Sequence, residues 1–441
     1  MPGDGGAFGI RTLYVRFTDL TCPIYGRRFF LVKSTDYRPR AASLRLKELI
    51  RVLPVVVLTG ARQTGKSRLL NTEVPFADHK VFTLDDIATR ADAENDPAGF
   101  VNRAPRMIID EIQRAPELMI AVKAAVDREE QQTPGRYVLT GSANLLLMKQ
   151  VSESLAGRAA YVTLEPMTRH ELIGEARTAL WSSFFDNPHS EWLSRPTEVT
   201  AKKEDWKEAV RRGGFPYPAL RLDPVERGFW FDGYTTTYLE RDLRDLSAVD
   251  DLVSFRRAMQ AFALRTGTPV NAAAVAAELG LVARTLRRWL DLLHLSYQFL
   301  QLPAYTARRS ARLRKRPKYY WNDSGLALHL SGNAEPNGAH LETLVFADLR
   351  AWAALDAKRP SLMYWRDDEG REVDFVVERD GKLLAVEVKA TTRPSWDDWK
   401  HLVTFIADYR KSVVGGLLLH GGDETFQAAE GIVATPWWRV V

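Results

Sequence analysis

The octet at residues 60–67, GARQTGKS, constrains this chain more than any other stretch. It fits the spacing G-x-x-x-x-G-K-[ST], in which glycines let successive backbone N–H groups curl around phosphate oxygens. Such a loop needs a buried strand before it and a helix after it, because the helix N-terminus faces the anion. The flanks agree: an apolar run occupies 55–59, and a helical stretch begins near Lys66. Gly60, Ala61, Arg62, Gln63, Thr64 and Gly65 are expected to cradle a nucleotide. Lys66 should reach its β and γ phosphates, and the Ser67 hydroxyl should hold Mg2+, with ATP the expected ligand.

Four more short apolar runs, at 81–84, 107–109, 137–140 and 161–164, alternate with helical or polar stretches. Buried strands alternating with helices predict a parallel α/β sheet. The third run ends in Asp110-Glu111. There Asp110 would hold Mg2+, directly or through water, and Glu111 would act as general base on the attacking water. The fourth ends in a polar turn where Ser142 or Asn144 suits sensing of the γ-phosphate. Arg158, just before the fifth, suits charge stabilisation on that phosphate, in cis or from a neighbouring subunit of a homo-oligomer.

These motifs resemble a prokaryotic ATPase family that joins an AAA-type P-loop domain to a C-terminal domain of unknown function. The resemblance runs from about Tyr37 to the end. It rests on YRPR at 37–40, the GARQTGKS loop, DEIQRAPEL at 110–118, LTGSAN at 139–144 and SLAGR at 154–158. GGFP at 213–216, YLERDLR at 238–244, EVDF and VEVK complete it. It implies a P-loop ATPase core. Residues 1–36 fall outside the pattern and read as an N-terminal extension.

With 441 residues, about three domains are expected at roughly 150 residues each. The expected division is the ATPase domain at 37–175, a polar linker at 176–205, a helical middle at 206–330 and an α/β domain at 331–441. Apolar residues are 45% and charged residues 27% of the chain, which excludes a mainly disordered chain. No apolar run approaches the ~20 residues of a membrane span, and no secretory leader is expected. Cys22 is the lone cysteine, so an internal disulfide and a thiolate zinc cluster are excluded, and a cytoplasmic setting is expected. The net charge of +5 is mild for this length, so only clustering argues for nucleic acid.

Clustering does occur. Residues 271–293 read as two helices broken at Gly280, the spacing of a helix-turn-helix. On the second, Leu286, Leu290 and Leu293 share one face, and Arg284, Arg287 and Arg288 another. A strand at 297–302 and a segment at 308–318 with seven basic residues in eleven follow. Together they resemble a winged helix with a basic wing, suited to DNA phosphates or to a protein partner.

The last hundred residues predict an α-β-β-β-α-β order. Glu342 lies on its first helix and Asp374 inside an apolar strand. Glu387 and Lys389, two apart, leave one face of the next strand. Carboxylates on buried strands need a partner, commonly a hard cation. The spacing D-x12-E-x-K resembles restriction-endonuclease-like domains. That resemblance implies Mg2+ on Glu342, Asp374 and Glu387, with Lys389 orienting the attacking water. The other reading is a scaffold in which Lys389 pairs with Glu387. The whole predicts a P-loop parallel-sheet ATPase domain, a helical, winged-helix middle and a restriction-endonuclease-like α/β end. ATP turnover is expected to drive DNA binding with or without cleavage, or to gate binding of a protein.

Overall fold

Alternate residues of one short strand feed two separate cores. In the computed structural model, β1 (Val55–Thr59), β2 (Lys80–Thr83), β3 (Met107–Asp110), β4 (Tyr137–Thr140) and β5 (Ala159–Thr163) form a parallel sheet ordered β2-β3-β4-β1-β5. Val55 and Val57 pack with Leu118, Met119 and Val122 of the helix Glu117–Asp127. Val56 and Leu58 pack with Leu46 of the helix Ala42–Leu49 and Leu69 of the helix Lys66–Thr72. All of β1 is buried. Burial of each such side chain is worth about 1.5–3 kcal/mol, so β1 is a fixed post for the loop that follows. The structure describes residues 37–73, 76–128, 133–141, 155–198, 202–237, 251–308, 312 and 315–441. Those from Arg38 onward belong to one unit, Arg38–Val441. The expected extension at 1–36 lies outside the described residues.

The helical middle holds the helices Leu252–Ala263, Ala272–Leu279 and Ala283–Leu295. Gly280, in the left-handed region at φ 68°, ends the second of these. The third buries Leu286, Trp289, Leu290 and Leu293 and exposes Arg284, Arg287 and Arg288. A small antiparallel sheet follows, ordered β6-β8-β7, from β6 (Thr268–Pro269), β7 (Phe299–Leu302) and β8 (Lys318–Trp321).

The C-terminal part is a six-stranded mixed sheet beside the helix Gly338–Leu355. Its strands are β9 (Ser361–Arg366), β10 (Glu372–Arg379), β11 (Lys382–Lys389), β12 (Val413–His420), β13 (Phe426–Ala429) and β14 (Ile432–Pro436), ordered β13-β14-β12-β11-β10-β9. The last two strands extend the expected pattern. The stretch expected to be a polar loop at 176–205 is a cover for this sheet. It contains the short helices Ser183–Asp186 and Ser194–Glu198, and it buries Trp181, Phe184 and Trp192 in the sheet's core. Trp192 lies so close to β12 that a Cβ on Gly415 would come within 2.7 Å of its ring. Irregularly spaced aromatics among polar residues leave no period to read. No helix among the described residues is long and apolar enough to cross a membrane.

Trp181 also donates its Nε1–H to Asp348 Oδ1 at 2.6 Å, while Oδ2, equally buried, has no hydrogen-bond partner. Burial pushes the Asp348 carboxyl up to about 7. The folded chain therefore keeps a proton that the unfolded chain loses near pH 4. The stability this confers is full below the ordinary carboxylate range and lost as pH rises through about 7. Asp348→Asn keeps the bond to Trp181 and removes the buried charge. Its melting temperature should exceed wild type at pH 8, by the equivalent of about 1–3 kcal/mol, with the gain vanishing near pH 4. Equal melting curves at pH 8 would contradict this account.

Candidate active site

The loop leaves β1 through Gly60, whose φ of 137° places it where a Cβ would lie 2.3 Å from the Leu164 carbonyl oxygen. Only glycine fits that approach. Gln63 and Gly65 also adopt positive φ, at 65° and 93°, which curls the loop before the helix Lys66–Thr72 begins. The Thr64 hydroxyl donates to the Ala61 carbonyl at 3.0 Å. Lys66 lies buried across the loop, its Nζ donating to the carbonyls of Gly60 at 2.9 Å and Ala61 at 2.8 Å.

Two parts far apart in sequence meet here. Ser67 Oγ donates to Asp110 Oδ2 at 2.9 Å. Asp110 Oδ1 is buried without a hydrogen-bond partner. Burial, partly offset by the Ser67 hydroxyl, raises the Asp110 carboxyl above its ordinary range. A hydroxyl beside a carboxylate with one orphaned oxygen is a donor set that a hard cation completes, so these residues fit Mg2+. Glu111 follows with a left-handed backbone at φ 57°, and the Gln113 amide donates to its carboxylate. Arg62 and Gln63 line a cleft with Trp230 and Tyr234. Ser142 and Asn144 lie outside the described residues.

Two residues at this site were not singled out from sequence. Arg40 braces the loop from behind: its NH1 donates to the Thr64 carbonyl and its NH2 to the Glu165 carbonyl, both at 2.7 Å, and its Nε pairs with Glu171 at 3.1 Å. Tyr297, just past the helix Ala283–Leu295, donates from its hydroxyl to Thr59 Oγ1 at 3.0 Å. YRPR at 37–40 was the available signal for Arg40; nothing in sequence marks Tyr297.

Arg158 requires a correction. It precedes β5, and its carbonyl accepts from Val55 N at the opening residue of β1. The P-loop leaves the far end of β1, five residues and about 16 Å away. Its guanidinium pairs with Asp127 at 2.5 Å and donates to the Ala156 carbonyl at 3.0 Å. An action on the phosphate of its own subunit is therefore excluded by strand direction.

The C-terminal cluster also departs from expectation. Asp374, Glu387 and Lys389 do share one region, with Glu342 close enough to couple electrostatically to Asp374 and Lys389. However, among the described residues no group of three His, Cys, Asp or Glu side chains is arranged to hold a metal. Lys389 Nζ pairs with Glu387 Oε1 at 2.5 Å, and Glu387 Oε2 accepts from Asp374 N at 3.3 Å. Asp374 Oδ2 accepts from Val388 N at 3.0 Å, and Glu342 Oε2 accepts from the Tyr320 hydroxyl at 3.1 Å. Burial and the charge of Asp374 push the Glu342 carboxyl up to about 8. The expected Mg2+ on Glu342, Asp374 and Glu387 does not fit this arrangement, because both oxygens of Asp374 and of Glu387 and Oε2 of Glu342 already face protein donors. Lys389 is committed to Glu387 and is not poised over a water.

The basic segment at 308–318 is partly engaged as well. Arg312 pairs with Glu378 at 2.8 Å, and Lys315 Nζ donates to the Arg366 carbonyl at 2.7 Å. Lys318 is buried against Glu372.

Comparison with known proteins adds the family. Residues 53–173 match an AAA domain, 203–337 a domain of unknown function (DUF8612), and 337–440 another (DUF4143). An uncharacterized protein of Mycobacterium tuberculosis is 31% identical over 408 residues, 90% of this chain and 83% of that protein; a Mycobacterium bovis protein matches equally. A Haemophilus influenzae protein is 22% identical over 286 residues, 63% of this chain and 65% of its own length. Among solved structures, a Walker-type ATPase of Pyrococcus abyssi is similar at 17% identity and a TM-score of 0.40, over 67% of this chain and 99% of that one. The chain thus belongs to a family of P-loop ATPases in which an AAA domain precedes a DUF4143 domain at the C-terminal end.

Proposed function

We propose that this protein binds and hydrolyses ATP with Mg2+ and that its helical middle binds duplex DNA. The observation that carries the ATPase reading is the Ser67–Asp110 hydrogen bond, which unites the loop hydroxyl with the carboxylate at the end of β3. Mg2+, when bound, would neutralise charge on the β and γ phosphates. The chain's own residues do the rest. Lys66 exchanges the carbonyls of Gly60 and Ala61 for phosphate oxygens. Glu111, oriented by Gln113, accepts the proton of the attacking water. Arg158 acts on the site of a neighbouring copy, since its own loop is at the other end of the sheet.

The DNA reading rests on Arg284, Arg287 and Arg288, exposed together on a helix whose other face is buried. This arrangement is compatible with a winged helix placing that helix in a groove. The second reading, a nucleotide-gated switch that binds a protein, is favoured by one observation: Arg312 and Lys318 of the basic segment turn inward to carboxylates, and Lys315 is engaged by the Arg366 carbonyl. Turnover stimulated by DNA supports the first, and salt-insensitive binding of a protein the second.

Lys66→Ala should weaken ATP binding in calorimetry. Glu111→Gln should keep binding and slow phosphate release by about 10²–10⁴-fold. A folded wild type that binds no ATP ends the ATPase reading. Arg158→Ala should slow turnover by about 10³-fold with little change in ATP affinity. Mixing it with Glu111→Gln protein should restore part of the activity, since each supplies what the other lacks; a mixture as inactive as its components rules out action between copies. Replacing Arg284, Arg287 and Arg288 by Ser should weaken duplex binding. Its logarithmic salt slope should fall by about 0.9 for each phosphate no longer neutralised. Wild-type protein that ignores DNA at low salt removes the DNA reading and leaves the ATPase standing.

A further inference from the structure

The backbone of β8 belongs to one sheet, and alternate side chains of it, Lys318 and Tyr320, belong to another. Lys318 opens β8, paired in the middle sheet with Leu302 of β7 and Pro269 of β6. Its side chain, 2% exposed, enters the C-terminal sheet. Nζ lies 2.5 Å from Glu372 Oε1 and 3.5 Å from Asp374 Oδ1, over the Tyr364 ring. Tyr320, two residues on and so on the same face, donates to Glu342. The residues leading into β8 follow the same course along β9, with the Tyr364 hydroxyl donating to the Arg316 carbonyl at 2.5 Å and Lys315 to that of Arg366.

We infer that Lys318 is the built-in cation of the carboxylate cluster, so that the cluster needs no divalent metal and serves to latch β8 of the middle sheet onto β10. Both oxygens of Asp374 and both of Glu387 have protein partners. Asp374 gives one to Lys318 and one to the Val388 N–H; Glu387 gives one to Lys389 and one to the Asp374 N–H. Burial alone would lower the Lys318 ammonium, but the charges of Asp374, Glu342 and Glu372 outweigh it and hold it above the ordinary lysine range. Mg2+ demands near-octahedral oxygens at about 2.0–2.1 Å. Mg2+ on Asp374 would set a second positive centre beside the Lys318 ammonium, which is buried and has no path to water, and that is unfavourable. A strand from the middle sheet thus completes the electrostatics of the C-terminal one. The inference does not rest on the ATPase or DNA readings.

The test uses full-length Asp110→Ala protein without nucleotide, so that the P-loop carboxylate does not contribute. Mn2+ uptake is followed by loss of the free-ion electron paramagnetic resonance signal, and unfolding by calorimetry. The expected result is no stoichiometric uptake of Mn2+ and a melting temperature indifferent to EDTA. Adding Lys318→Met should lower that melting temperature by roughly 5 °C or more. One Mn2+ per chain, lost when Asp374→Asn is added, overturns the inference, as does a Lys318→Met protein that melts with its parent. The Mn2+ measurement needs no Lys318 variant, so it decides the point even where that variant fails to fold.

Discussion

A single buried guanidinium holds the nucleotide loop, the sheet and the segment beyond it in one arrangement. Arg40 reaches the Thr64 carbonyl inside the loop, the Glu165 carbonyl just past β5 and the carboxylate of Glu171. Glu171 is itself committed, accepting from the backbone N–H groups of Ala41 and Thr168. Glu165 adds a further tie, pairing with Arg350 of the helix Gly338–Leu355 at 2.5 Å. Removing one partner of a buried pair leaves the other charge uncompensated, a loss of about 3–5 kcal/mol in measured cases. The loop's shape is therefore set as much from outside as by its own glycines. The helix Gly338–Leu355 is coupled to it through Glu165.

Sequence was most legible where the chemistry admits few residues. Gly60 is dictated by a carbonyl 2.3 Å from any Cβ, and Ser67 faces the Asp110 carboxylate, so the octet announces its strand, loop and helix. The third helix of the middle was equally plain, because Leu286, Leu290 and Leu293 repeat at helical spacing against Arg284, Arg287 and Arg288. Periodicity survives in a single chain, and it reports on one element at a time.

What depends on two elements was lost. Arg158 has the composition of a charge-stabilising residue, but composition carries no strand direction, and direction puts it at the far end of the sheet. The aromatics at Trp181, Phe184 and Trp192 sit among polar residues, so a cover over the C-terminal sheet looked like a loop. The two-residue spacing of Glu387 and Lys389 correctly placed both on one face. It was silent on Lys318, far upstream in the chain and lodged in a run that read as a basic wing. A basic run tells the sign of a surface, but tertiary contacts decide which of its members face water.

The hydroxyl of Tyr297 touches Thr59, the last residue of the strand that carries the nucleotide loop. Its own backbone, at φ 62°, forms the turn between the helix Ala283–Leu295 and β7, and its neighbour Gln298 is hydrogen-bonded to Tyr234 beside Arg62 and Gln63. One turn thus borders both the helix with the exposed arginines and the loop. Thermodynamic reciprocity attaches to any such shared boundary. A molecule on that helix whose affinity depends on the position of the turn alters nucleotide affinity by some factor wherever the nucleotide also discriminates between those positions. The nucleotide must then alter that molecule's affinity by the same factor, whichever of the two arrives first.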